Sequence, residues 1–248
     1  MNAFLKYLWI QLKMDLRDRG TLMNFYLVPL VFFFVMGSVF STINPLMKTT
    51  LAASMTIFAV TMGAVMGAPT PIVKMRESGT LRAFKVNGIP GSAVLSVQAI
   101  SAFIHLFLVS VIIYVVSPLF FHSEMPKVPW LYFVILAVFL FASIGVGLLI
   151  GVTAHGQSFA TMFSMAIFLP TVLLSGIMFP ATMLPKSVMW LGRVLPATYA
   201  LQSFFGLAYQ TKSDIDATLS LVIIAAIGVL LFIAAAWQVN HVRKKEQL

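Results

Sequence analysis

The sequence predicts an all-α integral membrane protein with six transmembrane helices. An amphipathic helix in the membrane interface precedes them, and an outer re-entrant helical segment comes before the last span. Three observations predict this. Hydrophobic residues make up 60% of the 248-residue chain and charged residues only 9%. Mean hydropathy is +0.99, whereas a soluble domain of this size carries roughly a quarter charged residues. Six apolar stretches reach the roughly 20 residues needed to cross a bilayer: Leu22–Ile43, Leu51–Val73, Val94–Val116, Trp130–Val152, Phe159–Phe179 and Leu219–Val239. The basic residues, finally, are divided unevenly between the segments that join them.

With the N-terminus inside, the inner segments hold Lys6, Lys13, Arg17, Arg19, Lys74, Arg76, Arg82, Lys85, Arg243, Lys244 and Lys245. The outer ones hold Lys48, Lys127, Lys186, Arg193 and Lys212. By the positive-inside rule both termini are cytoplasmic. The net charge of +9 is therefore topological and does not point to nucleic acid. The absence of cysteine excludes disulfides, thiolate metal sites and a cysteine nucleophile. The first long apolar stretch starts near Leu22 without a small-residue cleavage pattern after it, so no cleaved signal peptide is expected.

Residues 1–20 form the first unit, a cytoplasmic interfacial helix. Phe4, Leu5, Leu8, Trp9, Leu12 and Leu16 recur at helical spacing while Lys6, Lys13 and Arg17 fall mostly off that stripe. The charges from Asp15 to Arg19 separate this helix from the first span. Residues 21–248 form the six-span domain. Pro29 and Pro170 lie inside two spans, which membrane helices tolerate when neighbours re-satisfy the backbone. Gly63-x-x-x-Gly67 and Gly147-x-x-x-Gly151 place small residues one turn apart for close helix packing.

The inner loop over residues 74–92 contains "KMRESGTLRAFK", five charges in twelve positions. Each would cost about 2.5–3.5 kcal/mol at the centre of a span, so the segment belongs in water. Leu81, Phe84 and Val86 alternate with Arg82 and Lys85, a mixture that suits a docking surface. Near the other side, "VMWLGRVLPATYALQSFFGLA" is long enough to span. Arg193 and Pro196 count against that, and a seventh crossing would put Arg243–Lys245 outside. Residues 180–210 are therefore expected to dip into the outer leaflet and return.

Several patterns carry no chemistry. "GVTAHGQS", Gly151–Ser158, comes close to a phosphate-binding loop but has Gln157 where lysine is required, and it follows a membrane helix, not a strand. His105, His122, His155 and His241 are scattered, without i, i+4 pairing or a carboxylate companion, so no metal is expected. His105, inside a span, is read as a neutral histidine bonded to a neighbouring helix, with Gln98 on the same face. All seven acids fall outside the six stretches. That disfavours a proton-coupled carrier, which places ionisable groups at mid-membrane. Met55, Met62 and Met66 with Phe163 and Met165 are candidates for an adaptable apolar path, and His105 joins them as the ionisable group within a span.

"MRESGTLRAFKVNGIPGSAVL" resembles the loop after the second span in permeases of type-2 ATP-binding-cassette (ABC) transporters. There an acidic residue precedes Gly-Thr-Leu and basic residues. "LSGIMFPATMLPKSVMWLGRVLPATYALQSF" is similar to that family's segment between the fifth and sixth spans, with Ser-Gly, then Phe-Pro, then a later Pro before Thr-Tyr. The two motifs fall in matching places of one six-span plan. The resemblance implies that the first is a coupling helix seated on a separate nucleotide-binding ATPase subunit. Arg76, Glu77, Ser78, Gly79, Thr80, Leu81 and Arg82 would meet that partner, with "TAHGQS" nearby. It also implies that Phe179, Pro180, Pro185, Arg193, Pro196 and Tyr199 belong to an extracellular lid.

On this reading the chain is the permease of an exporter for an amphipathic drug, antibiotic, peptide or lipid-like cargo. It pairs with a second copy or a paralogue in a bacterial plasma membrane and binds no cofactor itself, ATP and Mg being held by the partner. The rivals are an intramembrane lipid-modifying enzyme and a non-catalytic anchor or channel subunit. The enzyme would need convergent acids, histidines or serines at the membrane edge, where only Glu124 with His122 offers a pair.

Overall fold

The computed structural model describes residues 3–43, 48–178 and 186–245, and among them there is no strand. Helix α1 is Ala3–Asp15. It stops where the charge cluster interrupts the apolar pattern, and Asp18 then caps a new helix by accepting from the Thr21 amide at 2.9 Å. That helix, α2, covers residues 19–43 and contains a π turn at Met23–Leu27. Next come α3 (Leu51–Glu77), α4 (Thr80–Val86), α5 (Gly91–Phe121), α6 (Pro129–Thr153), α7 (Gln157–Leu174) and α8 (Lys186–Gly192). The chain closes with α9, residues 196–208, and α10 (Ala217–Lys245).

Six of these, α2, α3, α5, α6, α7 and α10, are long and apolar enough to cross a membrane. Helix α8 has 7 residues, and α9 begins after a break at Leu195. At 1.5 Å per residue neither crosses alone. Three expected boundaries are corrected, the third span running from Gly91 to Phe121, past Val116. The second span continues as helix through Lys74 to Glu77, because the charged residues at its end project beyond the apolar body without breaking the backbone ladder. The fifth span ends at Leu174, short of Phe179. There Ser175 bonds back to the Thr171 carbonyl and Gly176 adopts φ +87°, the left-handed conformation that closes a helix.

Helix α3 is the centre of the bundle. In its apolar stretch 89% is buried, against 22% in each of α2, α7 and α10. It owes this to small residues: Ala52, Ala53, Ala59, Gly63, Ala64 and Gly67 let neighbours close in. A Cβ on Gly147 of α6 would lie 2.0 Å from the Ala64 carbonyl oxygen, and one on Gly151 would lie 3.1 Å from Ile72. Both small-residue pairs pack within the chain, Gly63 against Leu106 and Phe25. The π turn at Gly63–Gly67 disturbs the α3 ladder, and Ser164 of α7 donates to the Val65 carbonyl there at 2.6 Å. Around this axis Tyr132, Phe139, Leu106 and Phe204 are fully buried.

Candidate functional site

Two helix ends meet the loop that follows α3. Arg76 donates from Nη1 to the Val152 carbonyl at 2.8 Å, in the last turn of α6. Glu77 accepts at Oε1 from the Gln157 amide at 3.2 Å, in the first turn of α7. Each charge suits its partner: a guanidinium lies at the negative end of one helix dipole and a carboxylate at the positive end of the next. Helix α7 has no capping side chain of its own. Gln157 adds a third tie by donating from Nε2 to Thr70 at 3.0 Å. Two adjacent residues thus bracket the short loop between the fourth and fifth spans.

Beyond the bracket the chain turns at Gly79, whose φ of +74° suits glycine and whose Cα faces open space. Ser78 and Thr80 share a hydroxyl contact of 2.8 Å. In α4, Leu81 turns inward to line a small apolar pocket with Ile72, Val94 and Val239. Phe84 lies 5.4 Å from the Tyr7 ring of α1. Arg82, Lys85 and Val86 remain exposed, Val86 at 82%. The residues named from the sequence therefore divide. Arg76, Glu77 and Leu81 reach other helices, Ser78 and Thr80 pair with each other, and Gly79 and Arg82 are exposed around a knob formed by α4.

Helix α1 leans on α5 through a polar face. Gln11 and Asp15 are buried, Tyr7, Leu8 and Leu12 are half-buried, and Leu5, Trp9, Ile10 and Leu16 are exposed. Asp15 accepts from Gln11 at 2.8 Å and from Ser101 at 2.5 Å, and its Oδ2 lies 3.7 Å from His105 Nε2. His105 Nδ1 pairs with the Tyr26 hydroxyl at 2.7 Å. The expectation that no histidine has a carboxylate companion is thereby corrected. Asp15 lies outside every span in sequence, yet the return of α1 onto α5 carries it to the His105 side chain. The expected bond from His105 to a neighbouring helix is the one to Tyr26 of α2. Burial pushes the Tyr7 hydroxyl above its usual range, the nearby Gln98 amide opposing this and the Asp15 charge adding to it.

The residues named for a substrate path are not gathered on one surface of the chain. Met55 is in the core, Met62 and Met66 are half-buried on α3, and Phe163 and Met165 face outward from α7. Of the outer segment, Phe179, Pro180 and Pro185 lie outside the described residues. Arg193 lies over the Trp190 ring at 4.3 Å. Pro196 starts α9, and Tyr199 packs against the core. Val128 donates to the Ala208 carbonyl at 3.0 Å, joining the end of α9 to the loop before α6. Among the described residues no three histidine, aspartate or glutamate side chains form a group able to hold a metal ion.

A family model described as ABC-2 type transporter matches residues 2–209, well over half of the chain. Comparison with curated proteins yields no match.

Proposed function

The chain belongs to the ABC-2 type transporter family, and from that premise we propose that it is the permease of an exporter driven by a separate ATPase subunit. Two permeases, identical or paralogous, enclose the path, and the cargo is amphipathic: a drug, antibiotic, peptide or lipid-like molecule. The observation that carries the mechanism is the bracket formed by Arg76 and Glu77. The exposed knob of α4 is the part the ATPase grips. A displacement of that knob reaches α3 directly, because the last turns of α3 lead into it. Through Arg76 it pulls on the end of α6, and through Glu77 on the start of α7. Three spans move together without any covalent chemistry in this chain. The basic end of the bundle, with α1 and α4, is the cytoplasmic face. The segment of α8 and α9 is re-entrant and closes the outer mouth.

The test is reconstitution in vesicles with a cognate P-loop ATPase subunit, with ATP hydrolysis measured as amphipathic compounds are added. Stimulated hydrolysis and cargo movement that both require the two subunits support the reading. Movement of solute by the permease alone, or a reporter fused after Asp216 that reads cytoplasmic, rejects it.

A further inference from the structure

A cavity of about 270 Å³ lies between α1, the start of α2, the lower turns of α3 and α5. Opposite charges face it without meeting. Asp15 and Asp18 line it from one side and Lys74 from the other. Lys74 acts on Asp18 through space without closing an ion pair. Asp18 Oδ2 is used by the Thr21 amide and hydroxyl, which leaves the carboxylate further acceptor capacity. Gln98 lines the same cavity and is only 6% exposed, and its Nε2 has no hydrogen bond. The Tyr7 hydroxyl of α1 is the neighbouring acceptor, at looser geometry than a full hydrogen bond. The amide carries two N–H donors and the Tyr7 hydroxyl can take only one, which leaves the other for a ligand atom.

The position and the lip narrow the chemistry. Asp18 immediately precedes the first span and Lys74 lies in the last turn of α3, so the cavity sits where apolar helices meet water. Met14, 59% exposed, forms an apolar lip continuous with exposed Ile10 on α1. A bare cation would be repelled by Lys74 and a bare phosphate by the carboxylates. A group carrying both charges meets neither objection. The space is slightly below the roughly 300–1,000 Å³ of sites for drug-sized ligands. We propose that this cavity holds the headgroup of an amine-bearing phospholipid. Its ammonium lies against Asp18 and Asp15, its phosphate against Lys74 and the Gln98 amide, and its acyl chains run out past Met14. The lipid so bound wedges α1 against α2 and α3.

Binding of dioleoyl-phosphatidylethanolamine, phosphatidylcholine and phosphatidylglycerol to the full-length protein in detergent tests this, by native mass spectrometry and thermal shift. The ethanolamine lipid binds at least about tenfold tighter than the choline lipid, which has the same phosphate but no N–H donor. Asp18→Asn keeps a helix cap and removes the charge; with Lys74→Gln it brings the ethanolamine lipid to within about twofold of the choline lipid, the lipid-free proteins remaining folded. Equal affinity for the three lipids, or a preference that survives both substitutions, overturns the proposal. Saturation by soluble phosphoethanolamine at the same concentrations also overturns it, by reassigning the site to a soluble ligand.

Discussion

Replacing Glu77 with lysine reverses the charge that the structure places at the start of α7. The carboxylate accepts from the Gln157 amide at 3.2 Å and is exposed, so its worth is modest. A charge at a helix N-terminus contributes about 0.3–1 kcal/mol, and the cap itself adds a similar amount. Glu77→Gln keeps an acceptor and loses about 0.5 kcal/mol. Glu77→Lys loses the cap and sets a cation against the dipole, about 2 kcal/mol in all. For a chain of this size that corresponds to a Tm drop of about 4–8 °C for lysine and about 1–2 °C for glutamine. Coupling should respond far more than stability. The lysine variant should insert and fold, yet show at least about tenfold less cargo-stimulated hydrolysis in the reconstituted complex. The glutamine variant should stay within about threefold of the parent. Normal stimulation in Glu77→Lys would refute the bracket as a transmission element. A Tm drop beyond about 15 °C would also refute it, since Glu77 would then be supporting the whole fold.

Gly147→Val should destabilise by about 3 kcal/mol or more, because even its Cβ falls 2.0 Å from the Ala64 carbonyl oxygen; thermal unfolding in detergent measures the loss. Tyr132→Phe removes a buried hydroxyl that meets Thr56 at 2.8 Å and should cost about 1–2 kcal/mol. Adding Thr56→Val should bring the double variant below the sum of the two single losses. The Thr21 hydroxyl and then its amide hold the Asp18 carboxyl below the usual carboxylate range. A depressed folded pKa gives stability that is complete above the unfolded value near 3.9 and fades as pH falls through the folded one. The acid-side decline in Tm below about pH 4 should therefore be shallower in Asp18→Asn.

The spans were legible because each is written in consecutive residues whose burial in lipid needs no long-range information. The break before α2 was equally legible, since five residues from Asp15 to Arg19 contain four charges. Contacts at long separation were not. Asp15 sits in a charged run that reads as solvated, and nothing local announces that it will meet Ser101 and His105 some 90 residues on. The charged loop after α3 could be placed in water by charge and pattern, but the inward use of Arg76 and Glu77 depends on helix ends about 80 residues away. One signal was available. The fifth span starts after His155 and Gly156 with no acidic residue in its first turn, and a helix start without its own cap invites a carboxylate from elsewhere. The end of that span is hidden from sequence because apolar residues continue past Gly176, where the backbone turns.

The π turn in α3 sets the compass bearing of everything below it. One additional residue in a single coil swings the following segment by about 100° relative to an uninterrupted helix. Pro69–Glu77 inherits that offset. Had the five residues Gly63–Gly67 wound as ordinary α-helix, Arg76 and Glu77 would aim about a quarter-turn away from the two helix ends they now touch. The aim of the charged end of α3 is thus decided some ten residues upstream, in a glycine-flanked coil deep inside the protein.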